Sequence, residues 1–388
     1  MAVTLRRLLE HVEDQNVKVL AGGRNLDRLV RWTHMVESTE ISTFLEGQEV
    51  AFTTGVALKS PGELMDVVRS IAEHRASGII INLGPYIKEV PDKIIEYCEE
   101  EGIPLMTAPW QSMMAHIMQI FTMKITESDK ENLELSSAVK NAIFFPDQEE
   151  LYMPALERYH YSPEWSYCTA MIEILRGAGH LDYDRRKKLV KYVESQLIYE
   201  FKNVIIFELE KRIVIVFSKR MEREIKEAAE RIVKNCRSML SKGEKIFIGI
   251  GQKTKSMKCI SKSYYQAENV LKLQISRNHA DEVKGYRGLG LYKLLLCMDD
   301  QEIVKEYYQD VLGKLLQYDE AHGGDCCKVL YAYLKYSGSV KETADELFVH
   351  RNTVNKKINK IEDITGCDLS VLENRVMFSI AFMLEEII

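Results

Sequence analysis

No apolar run in this 388-residue sequence approaches the roughly 20 residues that a membrane-spanning helix needs. The opening MAVTLRRLLEHVEDQ is a charged helix without the apolar centre of an export signal, so a soluble, cytoplasmic protein is expected. The eight cysteines form no CxxC pair, and only Cys326 and Cys327 are close together. No Cys/His cluster has metal-ligand spacing, so no metal site is expected. Free thiols in that number suit a reducing compartment. There is no Walker lysine loop and no GxSxG, and the GIG at Gly249–Gly251 opens no GxGxxG fingerprint. No catalytic residue and no cofactor is assigned. The formal net charge of −6 leaves no global basic field, so any contact with nucleic acid must come from a local patch.

What is present is length for two or three domains, an ordinary 46% of hydrophobic residues, and one such local patch. Between Ser337 and Asp368 the chain reads as two short helices joined by a tight turn. Ser339 and Glu342 have capping-box spacing. Val340, Ala344 and Leu347 share a face, and Phe348 and Val349 bring the chain round. A second helix begins at His350 or Arg351 and runs to Asp363, with Val354, Ile358 and Ile361 as its apolar stripe. Its other face carries Arg351, Asn352, Thr353, Asn355, Lys356, Asn359 and Lys360. Four basic residues and no acidic one lie between Arg351 and Lys360. Lysine and arginine suit phosphates, and asparagine and arginine suit base edges. A helix, a tight turn and a basic, amide-rich second helix match helix-turn-helix docking on double-stranded DNA. A solvated polar face is the plainer alternative.

The residues Val349, His350, Arg351, Asn352, Thr353, Ile361, Glu362, Thr365, Gly366, Asp368 and Leu369 resemble the C-terminal helix-turn-helix of the PucR family of bacterial transcription regulators. Asn355 stands where that family often has an arginine. The resemblance implies operator binding, with Arg351, Lys356 and Lys360 on phosphates and Asn352, Thr353 and Asn355 nearest the bases.

Residues 1–109 alternate strand and helix. Strands are expected at Val17–Leu20, Val30–Val36, Glu49–Thr53, Gly78–Gly84 and Pro104–Thr107. Helices are expected from Pro61 to about Ala76 and over Pro91–Glu101. That order implies parallel crossovers and an α/β parallel-sheet domain. Ligands of such sheets sit beyond the strands' carboxyl ends, which makes Thr53, Thr54, Gly55, Asn82 and Gly84 candidates, with Glu37 and Trp110 beside them. Ordinary strand-ending and turn chemistry accounts for the same residues. Trp32, His34, Glu37, Gly47-Gln48-Glu49, Thr53-Thr54-Gly55, Gly78, Gly84 and Pro104 resemble the PucR regulatory domain. That resemblance implies a small-molecule effector, with purine breakdown products the leading class. A different metabolite, such as a sugar acid, is the alternative. His34 reads as structural.

Residues 110–145 contain neither proline nor glycine up to Phe144 and read as a helical connector, either plain core or a segment that pairs with a second copy. Residues 146–285 carry strands at Cys168–Ile174, Asn203–Glu208, Ile213–Ser218 and Lys245–Ile250. Helices at Arg185–Ile198, Glu222–Leu240 and Ser256–Leu273 complete a ferredoxin-like βαββαβ order with helices on one face. Phe247–Gly251 and the helix with Tyr264, Tyr265 and Ala267 resemble a degenerate GGDEF-like nucleotide-cyclase domain. Its hairpin, FELEKRIVIVF, has no Gly-Gly and no Asp-Glu pair for magnesium or phosphate. Alternation along the strand accounts for Glu208 and Glu210, so a dimerisation or signal-passing role is expected. A nucleotide-processing enzyme is the rival reading. Residues 286–388 are expected to be an all-α helix-turn-helix domain, led into by a helical stretch from Gly288 to Tyr318. Gly323-Gly324 is expected to end one helix and Asp325 to cap the next. The whole reads as a metabolite-responsive DNA-binding regulator, a homodimer or higher homo-oligomer, acting by resemblance on purine catabolism genes, and not an enzyme.

Overall fold

The computed structural model describes residues 3–60, 62–177, 179–201, 203–277, 283–298 and 300–387. Short helix α1 (Leu5–Glu10) is capped by Thr4, whose hydroxyl accepts from the Arg7 amide. A five-stranded sheet follows, built from β1 (Lys18–Ala21), β2 (Trp32–Met35), β3 (Glu49–Thr53), β4 (Gly78–Leu83) and β5 (Leu105–Pro109), in the order β1-β5-β4-β3-β2. Strands β2 to β5 run parallel and lie side by side in chain order. Helices α2 (Glu63–Glu73) and α3 (Asp92–Glu100) make the crossovers and bury Leu64, Val67, Val68, Ile71 and Ile94 on one face. Pro61, expected to open the first crossover helix, lies outside the described residues. Strand β1 departs from the parallel pattern and pairs antiparallel with β5. Only a one-turn 3-10 helix at Gly23–Asn25 separates it from the next strands, too short a connection for a parallel crossover.

Helix α4 (Met114–Phe144) is 31 residues long, roughly 46 Å at the α-helical rise. Its first half places Met114, Ile117, Phe121 and Ile125 on the second face of the first sheet, with Leu5 and Leu8. Its second half places Leu135, Ala138, Val139, Ala142 and Ile143 in the core of the next unit.

That unit contains β6 (Tyr167–Arg176), α5 (Tyr183–Glu200), β7 (Val204–Leu209), β8 (Arg212–Ser218), α6 (Glu222–Arg237), β9 (Glu244–Ile250), α7 (Ile260–Ser276) and β10 (Val283–Gly285). Its sheet order is β7-β8-β6-β9-β10, antiparallel across the first four strands. This is the ferredoxin-like arrangement that the βαββαβ order predicts. Helices are not confined to one face, however. Helices α5 and α6 cover one side, and α7 with the end of α4 covers the other. The central strand requires this, because Tyr167 to Leu175 is buried at every position and presents no face to solvent.

The C-terminal unit is all helix: α8 (Gln301–His322), α9 (Cys326–Lys335), α10 (Val340–Glu346), α11 (Arg351–Thr365) and α12 (Leu372–Glu385). Within the stretch expected to be helical from Gly288 to Tyr318, a 3-10 turn at Tyr286–Leu289 and the short helix Tyr292–Leu295 precede α8, and residue 299 lies outside the described residues. Leu384 of α12 packs with Val270 and Leu273 of α7, which seats this unit on the middle one. Among the described residues no helix is long and apolar enough to cross a membrane.

Candidate nucleic-acid interface

Helix α10 starts at Ser339, whose hydroxyl accepts from the Glu342 amide at 3.4 Å. The turn after it needs one left-handed residue, and Phe348 takes that place at φ 53°. The Val349 amide then bonds back to the Ala344 carbonyl at 3.0 Å, so buried Ala344 sits directly under the turn. His350 caps α11, its Nδ1 accepting from the Asn352 amide at 3.2 Å.

The other end of α11 is closed by the residues downstream of it. Gly366 adopts φ 71° and its N–H bonds the Glu362 carbonyl. The Glu362 carboxylate accepts from the Leu369 amide at 2.8 Å. The Thr365 hydroxyl donates to the Ile361 carbonyl. This is a left-handed C-cap with side-chain reinforcement, and it gives a local reason for each of those residue types.

Val354 and Ile361 are fully buried and Ile358 nearly so, which fixes the rotation of α11. Arg351, Asn352, Thr353, Asn355, Lys356, Asn359 and Lys360 are all exposed on its other side. No described carboxylate pairs with Arg351 or Lys356. Lys360 lies 5.2 Å from the Tyr318 ring centroid, a cation–π contact that orients it. Lys357 turns inward and pairs with Asp325 at the start of α9. That pair accounts for a correction. Asp325 occupies the N-cap position of α9 but its side chain makes no capping bond. Asp319 of α8 does this instead, accepting from the amides of Cys326 and Cys327 at 2.9 and 2.8 Å.

Phe348 escaped the sequence reading as a functional candidate. Its ring is 95% exposed beside α11, and the signal was a bulky apolar residue where such a turn favours glycine.

The strand-end residues of the first sheet gather at the carboxyl ends of β3, β4 and β5. There they bond mostly to one another. The Glu37 carboxylate accepts from the Thr54 amide and hydroxyl, the Gly55 amide and the Thr53 hydroxyl at 2.8–3.2 Å. Asn82 donates to the Ala108 and Pro109 carbonyls at 3.3 and 3.1 Å. A Cβ on Gly84 would stand 2.2 Å from the Trp110 ring, and Trp110 meets Tyr86 edge-on at 6.1 Å. Because β2 to β5 follow chain order, the parallel strands lack the reversal that usually opens a ligand crevice. In the middle unit, the β7–β8 turn is Glu210-Lys211, both left-handed at φ 49° and 69°. Glu208 pairs outward with Arg186.

An exposed basic and amide face on the second helix of a helix-turn-helix, carried behind two sheet-containing units, has the geometry and charge that suit double-stranded DNA. Comparison with known proteins refines this. Residues 7–125 match the Purine catabolism regulatory protein-like family, residues 147–273 the GGDEF-like domain and residues 327–384 the PucR C-terminal helix-turn-helix domain. The chain therefore carries, in this order, an N-terminal unit, a GGDEF-like unit and a C-terminal helix-turn-helix that are each similar to those of PucR-type regulators. It is 32% identical to the Proline-responsive transcriptional activator PutR of Bacillus subtilis over 36% of this chain and 34% of the relative. It is 26% identical to the Purine catabolism regulatory protein of the same organism over 32% and 23%. It is 32% identical to the Carbohydrate diacid regulator of Escherichia coli over 15% of each. The matched stretches thus span about a third of the first relative and less of the others.

Proposed function

We propose that this regulator binds operator DNA as a homodimer through α11 and changes its operator affinity when a small metabolite binds its N-terminal half. The observation that carries this reading is the exposed side of α11. Among the described residues Arg351 and Lys356 have no carboxylate partner there, carboxamides lie beside them over about three turns, and no carboxylate stands between Arg351 and Lys360. Two copies of α11 would lie on half-sites about 34 Å apart. The regulatory names of the relatives favour this over an enzymatic role for the GGDEF-like unit. Control of purine catabolism genes has its support in the name of the N-terminal family. The relatives' names, covering proline, purine catabolism and carbohydrate diacids, do not converge on one effector. A gel shift with DNA from upstream of the chain's own gene tests the reading. A retarded band that is lost on Asn352→Ala with Lys356→Ala is expected, and absence of any retardation at micromolar protein overturns it.

A further inference from the structure

A cavity of about 690 Å³ opens where the N-terminal unit, the middle of α4 and the middle unit meet. Its volume falls in the range of small-molecule sites. Two guanidinium groups line it. Arg31 donates Nε to the Gln48 side chain at 2.8 Å and its terminal nitrogen to Glu194 of α5. Arg7 has no carboxylate partner among the described residues. A guanidinium presents a planar fork matched to a carboxylate, and Glu194 supplies such a carboxylate from within the chain.

The cavity also holds an unanswered polar group. Ser128 of α4 is buried, lines the cavity, and its hydroxyl has no hydrogen-bond partner. A buried hydroxyl left this way is costly, and a ligand oxygen would satisfy it. Val30, Ile125 and Phe201, each at least nine-tenths buried, form the apolar wall for a short carbon skeleton.

We propose that this cleft is the effector site, and that it takes a small carboxylate metabolite on Arg7 and Arg31 in place of Glu194. The Arg31–Glu194 pair is one of two described ion pairs that join the N-terminal and middle units, the other being Glu46–Lys191 at 3.5 Å. A ligand carboxylate that displaces Glu194 therefore opens one of these two bridges. The consequence for operator affinity rests on the regulator reading above. Binding itself does not.

Calorimetric titration of the full chain, without DNA, tests the site. The probes are the twenty amino acids, straight-chain sugar acids, C4–C6 dicarboxylates and, as a carboxylate-free control, urate. At least one carboxylate is expected to bind. Arg31→Gln should weaken it by about tenfold or more, Ser128→Leu should block it by filling the cavity, and Glu194→Gln should tighten it by removing the internal competitor. Arg31→Lys keeps the charge and loses the fork, so it separates a lost contact from a folding defect. Thr54→Ala at the strand ends should bind as the wild type does. The proposal is overturned if no carboxylate binds, if urate alone binds, if Arg31→Gln binds within about twofold of wild type, or if Thr54→Ala is the variant that loses binding. A gel shift on the same preparations tests DNA binding separately, so failure of one reading is not mistaken for failure of the other.

Discussion

Glu244 shows how much one side chain can hold in this protein. Its carboxylate is wholly buried, and Arg185, Arg176 and the Ser241 amide approach it at 3.0, 2.8 and 2.8 Å. The Arg185 guanidinium, with help from those partners, lowers its pKa to about 2 from the usual 4.5. A depressed carboxylate stabilises the fold above its unfolded pKa, and that contribution disappears as pH falls from about 4.5 towards 2. Its size is about 3 kcal/mol at neutral pH. Urea unfolding across that window should show a steep loss of stability in the wild type and a flatter one in Glu244→Gln. Lys211 illustrates the opposite case, a residue at odds with its backbone. A two-residue hairpin turn with both residues left-handed favours Asn-Gly, and here it holds Glu-Lys. Lys211→Gly should stabilise the middle unit by about 1 kcal/mol, read as a higher urea midpoint with an unchanged slope.

At the scale of elements, α11 makes the sharpest prediction because its lysines face different ways. Lys356→Ala should weaken binding on every DNA sequence and reduce the slope of log affinity against log salt by about one. Lys357→Ala should leave that slope nearly unchanged, since its charge is already engaged by Asp325. Ile361→Ala should cost roughly 3 kcal/mol of stability by opening a cavity under the helix, measurable by thermal melting. The stripe Val354, Ile358, Ile361 was legible because periodicity is local. So was β4, whose run between Gly78 and Gly84 has the continuous apolar character of a strand covered on both faces. The antiparallel edge strand β1, the second covered face of the middle sheet and the exchange of roles between Asp319 and Asp325 were not. Each depends on what another part of the chain brings to the place, and no window of neighbouring residues contains that information. The cleft around Arg31 was missed for the same reason, since Arg7, Arg31, Ser128 and Glu194 are scattered over almost half of the sequence.

For the whole molecule, the seam between the middle and C-terminal units combines an apolar cluster around Leu384 with the ion pair of Arg277 and Glu386 at 2.5 Å. Leu384→Asp should place a charge in that seam and detach the C-terminal helices. Limited trypsin digestion is expected to release a fragment beginning between α7 and α8 much faster than in the wild type, with the C-terminal core around Phe378 and Ile361 still folded by circular dichroism. Equal digestion rates would mean that the seam contributes little.

The long helix α4 has a practical bearing on any attempt to dissect this protein. Phe121 and Ile125 fill the hydrophobic interior on one side of its midpoint, and Val139 and Ile143 fill a different interior on the other. A truncation at either end strips one neighbour of a wall, and a cut through the middle leaves each with a frayed stump. Fragments meant to behave independently would each have to carry the entire rod, leaving half of its greasy stripe bare and prone to aggregate.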